Sequence, residues 1–123
     1  MTLVDTSGWV EIFTDGVLAS KYLPLIENKE KVVTPTIVLY EVYKKLRRDA
    51  SEEAADMAVA QLQETVVVPL SKELAIHAAE VSLQYSLPMA DAIVYATALS
   101  KNATLATSDK DFEGLPKVKY IKK

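Results

Sequence analysis

Lys31-Val32-Val33-Thr34-Pro35-Thr36-Ile37-Val38-Leu39-Tyr40-Glu41-Val42 contains two periodicities in one short stretch. Lys31 to Thr34 is a brief β-branched run, the composition of a buried strand. From Thr36 the apolar spacing becomes helical and continues to about Arg48. Thr34 or Thr36 is the expected cap. Pro35 suits a first helical turn, where a missing N–H costs no hydrogen bond. A strand that runs straight into a helix is the unit of an α/β fold, because parallel neighbours are joined through crossovers.

The same unit recurs on both sides. Thr2-Leu3-Val4-Asp5 reads as a strand, and Thr6, Ser7 or Gly8 opens a helix carrying Trp9, Ile12 and Phe13 at i, i+3, i+4. Residues 17 to 27 carry a second helical pattern in Leu18, Tyr22, Leu25 and Ile26. Ser51-Glu52-Glu53 starts a helix with Ala54, Met57, Ala58, Gln61 and Leu62 at helical spacing. Thr65 to Pro69 reads as a strand, and Ser71-Lys72-Glu73 starts a helix with Leu74, Ala78, Val81 and Tyr85. Pro88 to Lys101 is alanine-rich and apolar nearly all round, so this helix should be buried. Ala103 to Thr107 reads as a strand, and Lys117 to Ile121 alternates like an edge strand. The expectation is one α/β domain over residues 1–123, with a mostly parallel sheet and helices on both faces. Its functional edge should lie beyond the strand C-termini. Trp9, Tyr40, Tyr43 and Tyr95 fall at helical core spacings, and a place in the core or in a dimer contact is expected for them over base stacking.

Composition removes several chemistries. The 123 residues include no cysteine and one histidine, His77. Thiolate zinc sites, thiol nucleophiles and zinc sites built from several histidines are therefore excluded within one chain. The three glycines, Gly8, Gly16 and Gly114, are too far apart for a phosphate-binding glycine loop. No apolar run approaches the ~20 residues that cross a bilayer. The opening residues show no basic segment followed by a long apolar one, so no secretory signal and a cytoplasmic location are expected. The formal charge of −3 argues, taken alone, against coating nucleic acid by bulk charge.

Four acids sit badly for a solvated face. Asp5 ends an apolar strand, and Glu41 lies within an apolar helix segment. Asp91 stands near the start of the most apolar helix, and Asp109 follows the fourth strand. Bland roles exist for each: Asp5 and Asp109 as caps, Asp91 serving the helix dipole, Glu41 pairing with Lys44 or Lys45. The alternative is one divalent cation at a shared site, which would satisfy four costly carboxylates together. All-carboxylate ligation suits Mg²⁺ or Mn²⁺. Setting these four aside leaves 13 acidic side chains against 14 basic ones. The acidity would then be local to a pocket that attracts phosphate once a cation is bound.

Four segments together resemble the PIN-domain family of metal-dependent ribonucleases. They are Leu3-Val4-Asp5-Thr6-Ser7, Thr36 to Val42 around Glu41, Leu87 to Ala98 around Asp91, and Leu105 to Phe112 with Asp109 and Asp111. The resemblance covers the whole chain. It implies a three-layer α/β/α sandwich with a central, mostly parallel sheet. It implies a Mg²⁺- or Mn²⁺-dependent endoribonuclease with Asp5, Glu41, Asp91 and Asp109 as catalytic metal ligands. Small stand-alone members look like VapC-type toxins, which implies an RNA substrate, a homodimer and a cognate antitoxin protein, with no membrane role. Asp109 is the favoured ligand of its segment, with Asp111 in support or capping a turn. Ser7 and Thr107 could orient carboxylates or simply cap helices. Lys44, Lys45, Arg47 and Arg48 are candidates for RNA backbone contact, or a solvated helix end. Two other readings stay open: a catalytically silent RNA- or protein-binding module, and a phosphoryl-accepting domain using Asp5. The second is disfavoured because no Asp follows Asp5 at the next position but one.

Overall fold

The computed structural model describes residues 1–123. Five strands form one sheet: β1 (Thr2–Val4), β2 (Val32–Pro35), β3 (Val66–Val68), β4 (Thr104–Thr107) and β5 (Val118–Tyr120). Their order is β3-β2-β1-β4-β5, and every pairing is parallel. The helices are α1 (Thr6–Phe13), α2 (Ala19–Tyr22), α3 (Thr36–Asp49), α4 (Glu52–Leu62), α5 (Lys72–Tyr85) and α6 (Met89–Ser100). The architecture is the three-layer α/β/α sandwich expected from the sequence. Parallel strands need both faces covered, which is why β1 reads as apolar on successive residues.

The chain order places the site. From β1 the sheet grows one way through β2 to β3, then returns to lay β4 on the other side of β1. This reversal opens a crevice beyond the C-terminal ends of β1 and β4, where ligands bind in open α/β sheets. Asp5 and Asp109 follow those two strands.

Helix α6 is buried continuously from Ala92 to Ala98, as its all-round apolar sequence predicts. Ser51 caps α4 by accepting from the Ala54 amide at 3.0 Å. Three local expectations need correction. First, α3 is not capped by a threonine: Pro35 is its N-cap and still pairs with Val68 as the last residue of β2. Proline is tolerated there because it ends the strand. The Thr34 hydroxyl instead meets the Thr65 hydroxyl at 2.6 Å, inside the core. Second, the helical pattern of residues 17 to 27 splits into α2 and a 3-10 turn over Leu23–Ile26. Pro24 has no N–H for an α-helical bond, so the chain tightens there. Third, Tyr40 and Tyr43 are not in the core, being 60% and 36% exposed. The buried stripe of α3 is Val38, Val42 and Leu46, at i, i+4, i+8, which turns both rings outward. Likewise α4 buries Ala55, Ala58 and Leu62 while Met57 faces out.

Gly8 ties fold to site. A Cβ at this position would lie 2.4 Å from the Tyr22 ring and 2.7 Å from Val4. Glycine lets the Tyr22 ring pack flush on α1, and its hydroxyl then reaches Ser108, 2.6 Å away.

Candidate metal centre

Asp5 leaves β1 in the sheet ladder, its amide donating to the Ala106 carbonyl at 3.0 Å. It is also the N-cap of α1. One carboxylate oxygen accepts from the Thr6 amide, and the other from the Thr107 hydroxyl, both at 2.8 Å. The side chain is almost wholly buried. Burial pushes its carboxyl up to about 6, against the pull of the Thr107 and Thr6 bonds, with Glu41 and Asp109 adding repulsion.

Thr107 ends β4 fully buried, and its hydroxyl oxygen also accepts from the Asp109 amide at 3.0 Å. Asp109 in turn caps the 3-10 turn over Lys110–Phe112, accepting from the Asp111 amide at 2.9 Å. This turn brings both aspartates to the first turn of α6, where Asp91 stands. Carboxylate oxygens of Asp91, Asp109 and Asp111 lie within 4.8 Å of one another. The Asp91 carboxyl is pushed up to about 7, first by burial, then by the charge of Asp109, with Asp111 and Asp5 adding to it. Asp111, expected in support of Asp109, thus lies within 4.8 Å of Asp91 as Asp109 does, within the same cluster. Asp5 and Glu41 lie outside that trio.

Glu41 pairs with neither Lys44 nor Lys45. It accepts from the Thr6 hydroxyl at 2.7 Å, which couples α3 to the turn that begins with Asp5. An open cavity of about 280 Å³ adjoins it, lined by Thr6, Tyr40, Lys44, Lys45 and Arg48. Ser7 accepts from the Ser108 amide at 3.2 Å, so it holds the β4 exit rather than an acid. The Ser108 hydroxyl donates to the Ile121 carbonyl at 2.7 Å, so the Tyr22 hydroxyl is the donor in their contact. Tyr22 was hidden from sequence reasoning because its spacing on the chain is simply that of a core residue.

The donor set is all hard oxygen, and no Lys or Arg side chain pairs with Asp5, Asp91, Asp109 or Asp111. Two raised carboxyls and no neutralising cation are the arrangement a bound divalent ion would relieve. The residues therefore fit Mg²⁺ or Mn²⁺ better than a softer metal.

The model of the PIN domain matches residues 2–118 of this sequence. The chain belongs to the PIN domain family. Among solved structures, this PIN domain is similar to a toxin–antitoxin complex from Klebsiella pneumoniae. The TM-score there is 0.82 at 26% identity, over 98% of this chain and 100% of that one. VapC20 from Mycobacterium tuberculosis, a toxin that cleaves the sarcin–ricin loop, superposes with a TM-score of 0.78 at 23% identity. That match covers 94% of this chain and 95% of that one. VapBC2 from Rickettsia felis, bound to a promoter DNA fragment, superposes with a TM-score of 0.75 at 16% identity, over 98% and 97% of the two chains. No curated protein matches the chain.

Proposed function

We propose that this PIN domain is a Mg²⁺- or Mn²⁺-dependent endoribonuclease, and the toxin of a toxin–antitoxin pair. The observation that carries the reading is the carboxylate cluster at the β1/β4 crevice. It combines Asp91, Asp109 and Asp111 within 4.8 Å with a buried Asp5 whose charge acts on Asp91. Similarity to toxin structures supports the biological role.

In this reading Asp5, Glu41, Asp91 and Asp109 would hold the cation, with Asp111 beside them. A divalent ion held there would supply Lewis-acid chemistry, polarising a phosphoryl oxygen and lowering the pKa of a water. Thr107 and Thr6 fix how the Asp5 carboxylate presents its oxygens. Lys44, Lys45, Arg47 and Arg48 line the approach along α3 and hold the RNA backbone by charge. Water adds to phosphorus and one P–O ester bond breaks. Without the cation the acids repel phosphate, so RNA binding should require divalent metal. The whole of 1–123 serves as a single nuclease domain, working in the cytoplasm as a homodimer and silenced by a cognate antitoxin.

The test is RNA cleavage with Mn²⁺ by Asp5→Asn and Asp91→Asn proteins of unchanged circular dichroism. Loss of an outer partner of a metal ligand typically costs about 10–100-fold, and loss of a ligand should cost at least that. Full cleavage by either variant would refute the shared site. Growth arrest on expression, relieved by a co-expressed neighbouring small protein, is the outcome expected for the toxin role. A wild-type protein that leaves varied RNAs uncut in Mn²⁺ would point to a silent binding module.

A further inference from the structure

A phenylalanine would fill the space that the Tyr22 ring fills, fully buried against Gly8. What phenylalanine lacks is the hydroxyl, and a buried hydroxyl is costly without a partner. Burial raises the Tyr22 hydroxyl above its ordinary range, against the pull of Ser108 and Ser7, so it stays protonated and donates. Its bond to the Ser108 hydroxyl is 2.6 Å long.

Ser108 is held from three directions. Its amide donates to the Ser7 hydroxyl on α1 at 3.2 Å, and its own hydroxyl donates to the Ile121 carbonyl at 2.7 Å. The same hydroxyl accepts from Tyr22 on α2. Ile121 is itself fixed: it is buried, and its amide donates to the Thr107 carbonyl at 2.7 Å. Helix α1, helix α2 and the segment after β5 thus meet on one residue, and the next residue along the chain is Asp109.

The turn that starts there carries an electrostatic load. The carboxylate oxygens of Asp109 and Asp111 stand within 4.8 Å of Asp91 and of each other, and no Lys or Arg side chain pairs with any of the three. Like charges at that distance push the turn away from α6. At its far end Phe112 resists, fully buried with its ring 6.2 Å from that of Tyr95. At its near end Ser108 ties the turn to α1 and α2.

We infer that Tyr22 is a positioning residue of the carboxylate centre: through Ser108 it holds the Asp109 turn at its distance from Asp91. The inference rests on the metal-centre reading and deepens it by adding a residue that is not itself an acid or a ligand. Tyr22 takes no part in bond breaking. It keeps the acids gathered before a cation arrives, which spares the cation the cost of gathering them.

The experiment measures Mn²⁺ binding to the full-length protein by calorimetry, at a temperature where every variant is folded, and the amide NMR spectrum of the metal-free protein. Tyr22→Phe keeps the ring, and its dissociation constant for Mn²⁺ should rise about tenfold, the lower end of what outer contacts supply. Ser108→Ala should lose at least as much, and Ser108→Thr, which keeps the hydroxyl, should bind as wild type does. Because Tyr22 acts through Ser108, adding Tyr22→Phe to Ser108→Ala should weaken binding no further. In the metal-free spectra, Tyr22→Phe and Ser108→Ala should both move the amides of Lys110 and Asp111, which neither lost bond touches. A merely structural Tyr22 would lower the Tm of Tyr22→Phe and leave the Mn²⁺ constant and those amides as in wild type, and that result overturns the inference. Additive losses in the double variant would overturn it too, since Tyr22 would then act by another route. If wild type binds no Mn²⁺, the metal-centre reading fails. Shifted Lys110 and Asp111 amides in Tyr22→Phe would then still uphold Tyr22 as the support of the turn, and unmoved ones would overturn it.

Discussion

Thr107 serves two acids with one hydroxyl. It donates to Asp5 and accepts from the Asp109 amide, so it sets the distance between the ends of β1 and β4. Thr107→Val keeps the shape and removes both bonds. A buried carboxylate oxygen and an amide would then lack partners, at about 1–3 kcal/mol each. The Asp5 carboxyl should rise further above about 6, because the Thr107 bond is what most lowers it. Mn²⁺ affinity should fall about 10–100-fold by the usual effect of such outer contacts. Calorimetric titration with Mn²⁺ checks this, and Thr107→Ser should restore binding. An unchanged Mn²⁺ affinity in Thr107→Val would remove Thr107 from the site.

The elements deliver these side chains through their ends. Helix α1 begins at Asp5 and packs against α2 through Gly8 and Tyr22. Gly8→Ala would place a methyl carbon where the Tyr22 ring and Val4 already stand. Overpacking of this kind typically costs about 1–3 kcal/mol. The displaced Tyr22 should also release Ser108. A thermal melt should therefore show a lower Tm, and NMR a shifted Ser108 amide. A Tm equal to wild type would mean the α1–α2 contact is loose. Helix α3 shows how an apolar segment misleads: Ile37 to Tyr43 reads as core throughout, but a cylinder buries one stripe. That stripe contains Val38 and Val42 and leaves Tyr40 outside.

At the scale of the molecule, the carboxylate cluster makes stability depend on pH and, in the proposed function, on metal. Asp5 and Asp91 both have carboxyls raised in the folded state, to about 6 and about 7. A raised carboxyl means the folded state binds more protons than the unfolded one between the ordinary value and the shifted one. Its stabilising share is complete below about pH 3.8 and is lost as pH rises through 6 to 7. For buried Asp5 the share is about 3 kcal/mol at most. Half-exposed Asp91 adds less than its shift suggests, because solvent screens it. Metal-free protein should therefore melt lower at pH 8 than at pH 5. In the proposed function Mg²⁺ or Mn²⁺ would bind the deprotonated acids, so it should raise Tm at pH 8 and much less at pH 5. At a hundred times its dissociation constant the gain is about 2.7 kcal/mol. Equal metal effects at the two pH values would contradict a site made of these acids.

Much of this was legible before folding. The alternation of β-branched runs with helical periods determined a parallel α/β sheet, because each period allows only one kind of element and short links leave few topologies. Four acids in apolar settings stood out as a candidate site, since burying a carboxylate needs a reason, and two of them, Asp91 and Asp109, stand together in the folded chain. The sequence by itself also set the oxygen-only chemistry, by omitting cysteine and offering one histidine. Only the tertiary structure decided which acids meet. The spacing of Asp109 and Asp111 favours neither, and it is the 3-10 turn at Lys110–Phe112 that brings both to Asp91. It also decided that Tyr22 reaches Ser108 while Tyr40 faces solvent. Both positions fit helical core spacing, and the choice depends on which stripe the neighbouring elements cover, a property of packing that no local window of sequence contains.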